Sequence, residues 1–307
     1  MNKHVPFKRL LGINIDEFRY LSRQLAPAWR KTERMRLTRD NRKRKQGAGR
    51  RYSLGSMEDK LAMFLMYYRI YASQELISFL FGIDQSNVSR LIAKLEPLIE
   101  QAADPSLKNY LEESKANRTK MKVLNLVEFT RQYPDAAALI TDATEVRCNR
   151  PKRHEIQKQY YSGKRKCHTL KTQITISKNL RIVNVSKTYP GSVHDKKIID
   201  TEKTLDKVCS NVPHWFDKGY QGLQKDYQEH YNILPIKRKP KRKLSELAKE
   251  LNKMQSKIRV PVEHVFAKLK RFKICSQVFR NPFHKFNQIF RNIAAIHNMQ
   301  QSNTCKI

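Results

Sequence analysis

The stretch Ala136-Ala137-Ala138-Leu139-Ile140-Thr141-Asp142-Ala143-Thr144-Glu145-Val146 is a short apolar run with an aspartate inside it. Its length and its aliphatic and β-branched residues predict a buried strand. Asp142 follows the most apolar part of the run, residues 138–141. A carboxylate at that place is expected only where the strand faces a cleft or carries function, because an unpaired charge in a core is costly. Asp142 is therefore a candidate site residue.

Further strands and helices follow this run. Residues 172–177 and 181–187 alternate between apolar and polar side chains, and residues 212–216 form another short apolar run. Between them, residues 193–208 have helical spacing, and a helix-rich segment begins near Leu244. The order strand, strand, strand, helix, strand, helices predicts a mixed sheet flanked by helices.

The N-terminal third differs, because its apolar residues recur at helical spacing over residues 7–30 and 57–71. Between them, the basic and glycine-containing stretch 42–51 has almost nothing to bury and is interpreted as an arm or linker. An all-helical N-terminal part followed by a mixed sheet with helices makes the predicted fold class α+β.

A helix-turn-helix is predicted at about residues 74–95, and its best-defined part is 74–91. Gly82 provides the positive φ that the turn requires, and Ser78 is small where the helices cross. Asp84 is placed to cap the second helix through the amide of Ser86 or Asn87. The apolar residues that should face each other across the two helices are Ile77, Phe81, Ile83, Val88 and Leu91.

If the second helix enters the major groove of DNA, Gln85, Ser86, Ser89 and Arg90 are available for base edges or phosphates. The alternative is an ordinary pair of helices ended by a glycine. Charge favours DNA, since 62 Lys and Arg against 28 Asp and Glu give a formal net charge of +34. Such an excess destabilises a compact chain unless a polyanion neutralises it.

Other composition features narrow the class of protein. No window is apolar enough for a membrane span, and the N-terminus lacks the apolar run of a signal peptide. Five widely spaced cysteines support neither a zinc site nor a disulfide framework. We therefore expect no membrane partner and a cytoplasmic location, associated with the bacterial nucleoid.

Three carboxylates stand out. Asp142 ends one strand, Asp217 ends another beside a glycine turn, and Glu263 lies early in a helix whose apolar face is Val262, Phe266 and Leu269. Phosphoryl transfer on DNA requires a clamp for two divalent ions, and Mg²⁺ prefers hard oxygen ligands. For any one of the three, the alternative is a solvated charge or a charge at a helix N-terminus.

Five stretches resemble the successive signatures of bacterial insertion-sequence transposases: TDATEV, YYSGKRKCHTLKTQ, PGSVHD, FDKGYQG and RVPVEHVFAKLKRF. They occur in the expected order between residues 138 and 273, and the chain is most similar to the insertion-sequence five family, whose catalytic domain resembles that of PIF/Harbinger transposases. The resemblance implies a ribonuclease H-like fold with an Asp-Asp-Glu (DDE) triad. It places the first aspartate at Asp142 and the glutamate at Glu263.

Both Asp195 and Asp217 match the second aspartate. In the fold that the resemblance implies, this residue follows the fourth strand. Asp217 ends the fourth predicted strand, whereas Asp195 begins the preceding helix, and Asp217 is therefore the choice. His194 and Asp195 either line the cleft or, in the case of Asp195, cap that helix.

Basic residues near these positions are candidates for holding phosphates, with a solvated loop as the alternative. They are Lys164, Lys166, His168 and Lys171 before the second strand, and Lys268 and Lys270 after Glu263. The dense run 237–243 is either a DNA-contacting loop or a disordered insertion, and the loop is preferred.

The predicted domains are a helical DNA-binding domain at residues 1–110, a linker at 111–134 and a ribonuclease H-like catalytic domain at 135–303. We expect a transposase that binds the terminal inverted repeats of an insertion sequence, cuts DNA and joins it to target DNA. Two Mg²⁺ ions, or Mn²⁺ in their place, would be its cofactors, and double-stranded DNA its partner, on which it forms a homodimer or larger assembly. The alternative is a DNA-binding regulator with a silent or domesticated nuclease domain.

Overall fold

The computed structural model describes residues 4–38, 53–120, 131–238 and 243–302 of the chain. The basic stretch 42–51 lies outside these ranges. The chain divides into two compact units. A helical unit contains Met1–Pro105, Lys270–Gln277 and Gln288–Ile307, and a sheet unit contains Ser106–Leu269 and Val278–Asn287. Within the described residues, no helix combines the length and the hydropathy needed to span a membrane.

Among the described residues, the helical unit contains five helices from the N-terminal part of the chain. They are α1 (His4–Leu11), α2 (Ile15–Leu37), α3 (Met57–Ile70), α4 (Gln74–Phe81) and α5 (Gln85–Ala103). Polar caps set several of their starts: Asn14 and Glu17 each accept the other's backbone amide before α2, and Ser56 and Ser73 accept amides at the starts of α3 and α4. Each cap satisfies a donor that the first turn leaves unpaired.

Most of the C-terminal helix, Phe286–Gln301, also belongs to the helical unit. Asn292 Nδ2 donates to the carbonyl of Glu96 at 2.9 Å, and Arg291 Nε donates to Glu100 at 2.9 Å. The compact units therefore differ from the predicted boundaries, which placed this helix in the catalytic domain. These contacts join positions about 190 residues apart in sequence, and no local pattern reveals them.

The described part of the sheet unit contains seven strands and further helices. In chain order these are α6 (Tyr110–Lys120), β1 (Leu139–Arg147), α7 (His154–Tyr160), β2 (Tyr161–Ser162), β3 (Cys167–Ser177), β4 (Ile182–Val185), β5 (Tyr189–Pro190), α8 (Asp195–Glu202), β6 (His214–Trp215), α9 (Leu223–Asp226), β7 (Asn232–Ile233) and α10 (Glu246–Leu269). The C-terminal helix is α11 in this numbering. All four predicted strands are present, although the strand predicted at 212–216 is only two residues long.

The strands form one mixed sheet. β3 pairs antiparallel with β1, β2, β4 and β5, while β1 pairs in parallel with β6, and β6 in parallel with β7. This order, three antiparallel strands followed by two strands parallel to β1, agrees with the ribonuclease H-like fold that the resemblance implies. The predicted fold class, helices with a helix-turn-helix followed by a mixed sheet with helices, is confirmed.

Part of the predicted linker is folded. α6 begins at Tyr110, and Leu111 is buried with Ala136, Leu139 and Val183 in a core cluster of the sheet unit. The predicted linker begins at residue 111, but Leu111 attaches the first turn of α6 to the sheet unit. Residues 121–130 of the predicted linker lie outside the described residues.

Candidate active site

Asp142 and Asp217 lie side by side where the parallel pairing of β1 with β6 ends. The register pairs Ile140 of β1 with Trp215 of β6, and each aspartate comes two residues after this pair. Because the two strands are parallel and in register, the two carboxylates lie at the same level of the sheet. The prediction that Asp142 ends its strand is wrong, because β1 continues to Arg147 in its pairing with β3, whereas Asp217 follows the end of β6 as predicted.

A buried polar network fastens the strands immediately before Asp142. Thr141 Oγ1 lies 2.6 Å from His214 Nε2 and 2.7 Å from Thr175 Oγ1, so that one hydroxyl joins β1, β3 and β6. Complete burial lowers the pKa of His214 to about 3, and the ring is neutral. The network holds β1, β3 and β6 together next to Asp142 without adding a charge.

The Asp142 carboxyl is largely buried, with 22% of its side chain exposed. Burial raises its pKa to about 6, against the lowering effects of the Ala143 amide, which donates to it at 2.8 Å, and of Arg259. The negative charges of Asp217 and Asp195 raise the pKa further. Three carboxylates thus share one electrostatic environment, as in many sites that bind cations.

Arg259 of α10 supplies a positive charge to this pair. One guanidinium nitrogen lies 2.8 Å from Asp217 Oδ1, and the other lies 3.9 Å from Asp142 Oδ2. The Arg259 Nε is buried and has no hydrogen-bond partner among the described residues. The sequence analysis missed Arg259, although its position four residues before Glu263 places it on the same face of the helix.

Asp195 has a different cation. Lys171 Nζ donates to Asp195 Oδ1 at 2.9 Å and to the carbonyl of Val193 at 2.7 Å, and it lies 3.6 Å from Glu145. Asp195 is the first residue of α8 and makes no capping bond; the cap position is taken by His194, which is exposed. Of the two interpretations for Asp195, a place beside the cleft fits the structure and the cap does not.

A close approach fixes Asp195 next to the turn that follows Asp217. A Cβ atom at Gly219 would lie 2.8 Å from Asp195 Oδ2, closer than real Cβ atoms approach. Only glycine therefore leaves room for the carboxylate at this distance. Asp195 contributes to the charge around Asp142 while its carboxylate accepts a hydrogen bond from Lys171.

Glu263 is exposed on α10, one turn after Arg259. Within the described part of the chain it makes no hydrogen bond or ion pair, and no three His, Cys, Asp or Glu side chains there are close enough to hold a metal ion together. α10 contacts β1, so Glu263 lies on the helix that faces the site without reaching the aspartates. The structure brings together two of the three predicted carboxylates.

The donor chemistry of the two aspartates suits a hard divalent cation. Their oxygens already converge on one positive group, the Arg259 guanidinium, and no thiol or imidazole is part of this pair. Carboxylates alone are the ligands that Mg²⁺ and Mn²⁺ accept most readily. The residues present therefore fit such an ion, provided that Arg259 gives up its contacts.

The predicted phosphate-binding residues of the sheet unit fall into two groups. Lys164 and Lys166 are exposed in the turn between β2 and β3, and His168 is partly exposed against Tyr161. Lys171 is buried, and its ammonium group is committed to Asp195 and Val193, which argues against a role in holding DNA. The basic run around it predicts such a role, but β3 is buried on both faces from Thr169 to Ser177, and the Lys171 side chain is buried with it.

The other basic candidates lie near the end of α10. Lys268 belongs to the sheet unit and Lys270 to the helical unit, and both are half-buried. In the run 237–243, residues 239–242 lie outside the described residues, and Lys237, Arg238 and Lys243 are exposed.

The helix-turn-helix is formed by α4 and α5. Gly82 ends α4 with φ 61°, in the left-handed region, as the turn chemistry predicts. Ile77 and Val88 are fully buried, and Phe81, Ile83 and Leu91 are partly buried. Asp84 occupies the cap position of α5 but accepts no backbone amide, so the predicted cap bond is wrong; Asn87 Nδ2 contacts its carboxylate instead, at 3.4 Å.

The four residues predicted to contact DNA are exposed in the first two turns of α5. They are Gln85, Ser86, Ser89 and Arg90. Arg90 also lines a cleft of about 810 Å³ next to α2, whose walls include Arg30, Arg34 and Lys94. Sequence reasoning missed this cleft because the basic residues of α2 are some sixty positions from α5.

Comparisons with known proteins show the family to which the chain belongs. A family described as "DDE superfamily endonuclease" matches residues 141–298, and one described as "Helix-turn-helix of DDE superfamily endonuclease" matches residues 52–105. The chain is 30% identical, over 96% of its length and 94% of the relative's, to a protein of Microchaete diplosiphon named "Probable transposase for insertion sequence element IS702". No solved structure matches significantly. The chain belongs to the DDE superfamily of endonucleases, with that superfamily's helix-turn-helix in its N-terminal part.

Proposed function

We propose that this DDE superfamily endonuclease is the transposase of an insertion sequence. It binds the terminal inverted repeats of the element through α4 and α5, cleaves the DNA at their ends and joins the freed ends to target DNA. The observation that supports this most directly is the pair Asp142 and Asp217, held side by side where the parallel strands β1 and β6 cease to pair, in a chain with a helix-turn-helix. With this activity and a charge of +34, it acts on the bacterial nucleoid in the cytoplasm.

Asp142, Asp217 and Glu263 are the residues that would hold two Mg²⁺ ions, or Mn²⁺ in their place. When bound, these ions lower the pKa of an attacking water and neutralise charge on the phosphate. Glu263 reaches the pair by a change of side-chain rotamer or a small movement of α10, since it lies one turn from Arg259, which already touches both aspartates. Asp195 stays with Lys171 and shapes the charge around the site.

The protein's basic residues orient the DNA. Once Arg259 leaves the aspartates, its guanidinium is close enough to pair with the phosphate next to the scissile bond. Lys164, Lys166 and His168 extend this contact along one strand, and Lys268 and Lys270 are candidates on and after α10. Gln85, Ser86, Ser89 and Arg90 read the repeat, and the basic cleft beside α5 binds its backbone.

Cleavage of labelled duplexes tests the proposal. The substrates carry the element's ends with flanking DNA, and each is incubated with Mg²⁺, with Mn²⁺ or with EDTA. We expect metal-dependent nicks at the repeat ends for the native chain and none for Asp217→Asn, with unchanged binding in a gel-shift assay. Asp226→Asn is the matched control, because Asp226 is exposed and pairs with Lys196 away from the site.

Two outcomes would contradict the proposal. Tight binding to the repeats without cleavage under any metal would mean a DNA-binding regulator with a silent nuclease domain. Cleavage that survives Asp217→Asn but not Asp195→Asn would move the second aspartate of the triad to Asp195.

A further inference from the structure

The first half of α10 exposes a row of large apolar side chains. Leu247 is 67% exposed, Leu251 39%, Met254 61% and Ile258 39%. These residues follow each other at intervals of four, three and four, which places them on one side of the helix. The second half of the same helix buries its apolar residues in the sheet unit, among them Val262, Val265 and Leu269.

The exposed row is held in a defined position. Asn252 Oδ1 accepts the backbone amide of Ile236 at 2.7 Å, and its Nδ2 donates to the Ile236 carbonyl at 3.1 Å. Ala248, on the same side as Asn252, is buried. One side of the helix is thus fixed to the sheet unit, and the apolar row remains in solvent as a rigid stripe about 16 Å long at 1.5 Å per residue.

The spacing of the stripe is that of a coiled-coil seam. Leu247 and Met254 correspond to d positions and Leu251 and Ile258 to a positions of two heptads. A stripe of this kind is buried by another helix with the same spacing, and a second copy of this chain provides one. In an antiparallel pair, Leu251 packs against Met254 of the second copy, and Leu247 packs against Ile258 of the second copy.

Charges beside the seam select the antiparallel arrangement. Glu250 and Lys257 are exposed and occupy the two g positions, and neither forms an ion pair within the described part of this chain. In the antiparallel pair, Glu250 meets Lys257 of the second copy, and by symmetry the contact occurs twice. In a parallel pair, Glu250 would face Gln255 and Lys257 would face Val262, so no ion pair would form.

We propose that residues 247–258 of α10 form a self-association surface, on which two copies of this chain dock in an antiparallel, two-fold arrangement. The assembly is isologous, since each copy presents the same stripe and the same two charges. The proposal goes beyond the nuclease function and does not depend on it. A seam of about three turns is short, so we expect a dissociation constant in the roughly micromolar range without DNA.

Sedimentation velocity on the full-length chain, without DNA and over a range of concentrations, tests the surface. We expect a concentration-dependent dimer for the native chain. Met254→Glu should leave it monomeric across this range, because the change buries a charge in the seam. Circular dichroism and binding of a DNA duplex establish that the variant is folded.

Exchanging the two charges tests the orientation. Glu250→Lys or Lys257→Glu alone should weaken dimerisation about tenfold, because each turns two attractions into repulsions. The double variant, Glu250→Lys with Lys257→Glu, should restore the native dissociation constant to within about threefold. Lys253→Glu is the matched control, since Lys253 lies outside the seam and carries the same change of charge.

Three results would overturn the proposal. The first is a native chain that is monomeric at all concentrations, as it would be if another segment of the same chain covered the stripe. The second is a dimer that Met254→Glu does not weaken. The third is a double charge exchange that weakens the dimer as much as the single changes do, which would exclude the antiparallel pairing. Because DNA cleavage is not measured, these results are independent of the proposed transposase activity.

Discussion

Two acidic clusters lie next to each other in the sheet unit, and they hold their cations differently. In one, Asp142 and Asp217 share Arg259, which makes one short contact and one at 3.9 Å and leaves its buried Nε without a partner among the described residues. In the other, Glu145 and Asp195 share Lys171, whose ammonium group also donates to the Val193 carbonyl.

The difference between the clusters indicates that Arg259 is an exchangeable cation and Lys171 a structural one. Asp217 is 42% exposed, so solvent and ions reach the first cluster, whereas the Glu145 and Lys171 side chains are each only 9% exposed. Both cations are largely buried, with 13% of the Arg259 side chain exposed, but Arg259 has one partly exposed carboxylate partner and an Nε without a partner among the described residues, so its pairing is less costly to break. We infer that the first cluster serves the reaction and the second maintains the fold around it.

The largest expected effect is on DNA cleavage, and it tests the difference between the two clusters at Asp217 and Asp195. Asp217→Asn should reduce cleavage by about 10⁴-fold, the scale seen when one member of a catalytic constellation is lost. Its melting temperature should stay near that of the native chain, because the carboxylate is partly exposed. Asp195→Asn should instead lower the melting temperature, since it leaves Lys171 with less compensation. Cleavage assays and calorimetry on both variants measure the cleavage rate and the melting temperature. If the two variants change both quantities equally, the two clusters do not differ in role.

Lys171→Met tests the second cluster directly. The change leaves Glu145 and Asp195 as neighbouring carboxylates without a cation, and we expect a loss of about 3 kcal/mol in the free energy of unfolding. Lys196→Met is the control, since Lys196 pairs with Asp200 and Asp226 at the surface and its loss should cost about 1 kcal/mol or less. Urea denaturation gives both values. A stable Lys171→Met protein that no longer binds DNA would reinstate Lys171 as a phosphate ligand.

Asp142→Asn tests the cost of the buried charge in the first cluster. The pKa of Asp142 is about 6 in the folded chain and lower when unfolded. The folded state therefore binds the proton more tightly, and stability falls as pH rises from about 4 to 6. Without divalent metal, Asp142→Asn should be more stable than the native chain by about 2 kcal/mol at pH 7.5. At pH 4 the difference should vanish.

Unfolding of Asp142→Asn and the native chain at several pH values measures this dependence. If the difference in the free energy of unfolding between the two proteins is constant from pH 4 to 7.5, burial does not raise the pKa of Asp142. The contacts of Arg259 would then be the remaining evidence that the two acidic clusters differ.

The smallest expected effect concerns Arg259. If its guanidinium competes with a divalent ion for Asp142 and Asp217, Arg259→Gln should increase the affinity for Mn²⁺ by about three- to tenfold, measured by isothermal titration calorimetry. Lys253→Gln, which removes a distant positive charge, is the control. Unchanged or weaker binding of Mn²⁺ in Arg259→Gln would mean that Arg259 does not occupy the metal's place.

Several features could be predicted from sequence because they are local. Gly82 and the apolar spacing around it specify the turn and facing sides of α4 and α5. The apolar runs before Asp142 and Asp217 predict two strands next to carboxylates, although β1 continues beyond Asp142 to Arg147. The cap bond of Asp84 failed although the position was right, since the residue in the cap position need not direct its side chain to the amides.

Other features depended on contacts between distant positions. The burial of Lys171 follows from its place in β3 with Asp195 across from it, and the basic run around it suggested the opposite. Arg259 reaches Asp142 and Asp217 because α10 contacts β1. The placement of the C-terminal helix with the N-terminal helices follows from contacts such as that of Asn292 with Glu96.

The sequence by itself determined the class of protein: its charge, helix-turn-helix, aspartates after apolar runs and ordered motifs all depend on the identity and spacing of nearby residues. Only the tertiary structure decided which charges meet. It paired Arg259 with Asp142 and Asp217, paired Lys171 with Asp195, and left the stripe from Leu247 to Ile258 in solvent. The reason is physical, since the energy of a charge or an apolar side chain depends on its neighbours in space and on its burial, and folding determines both.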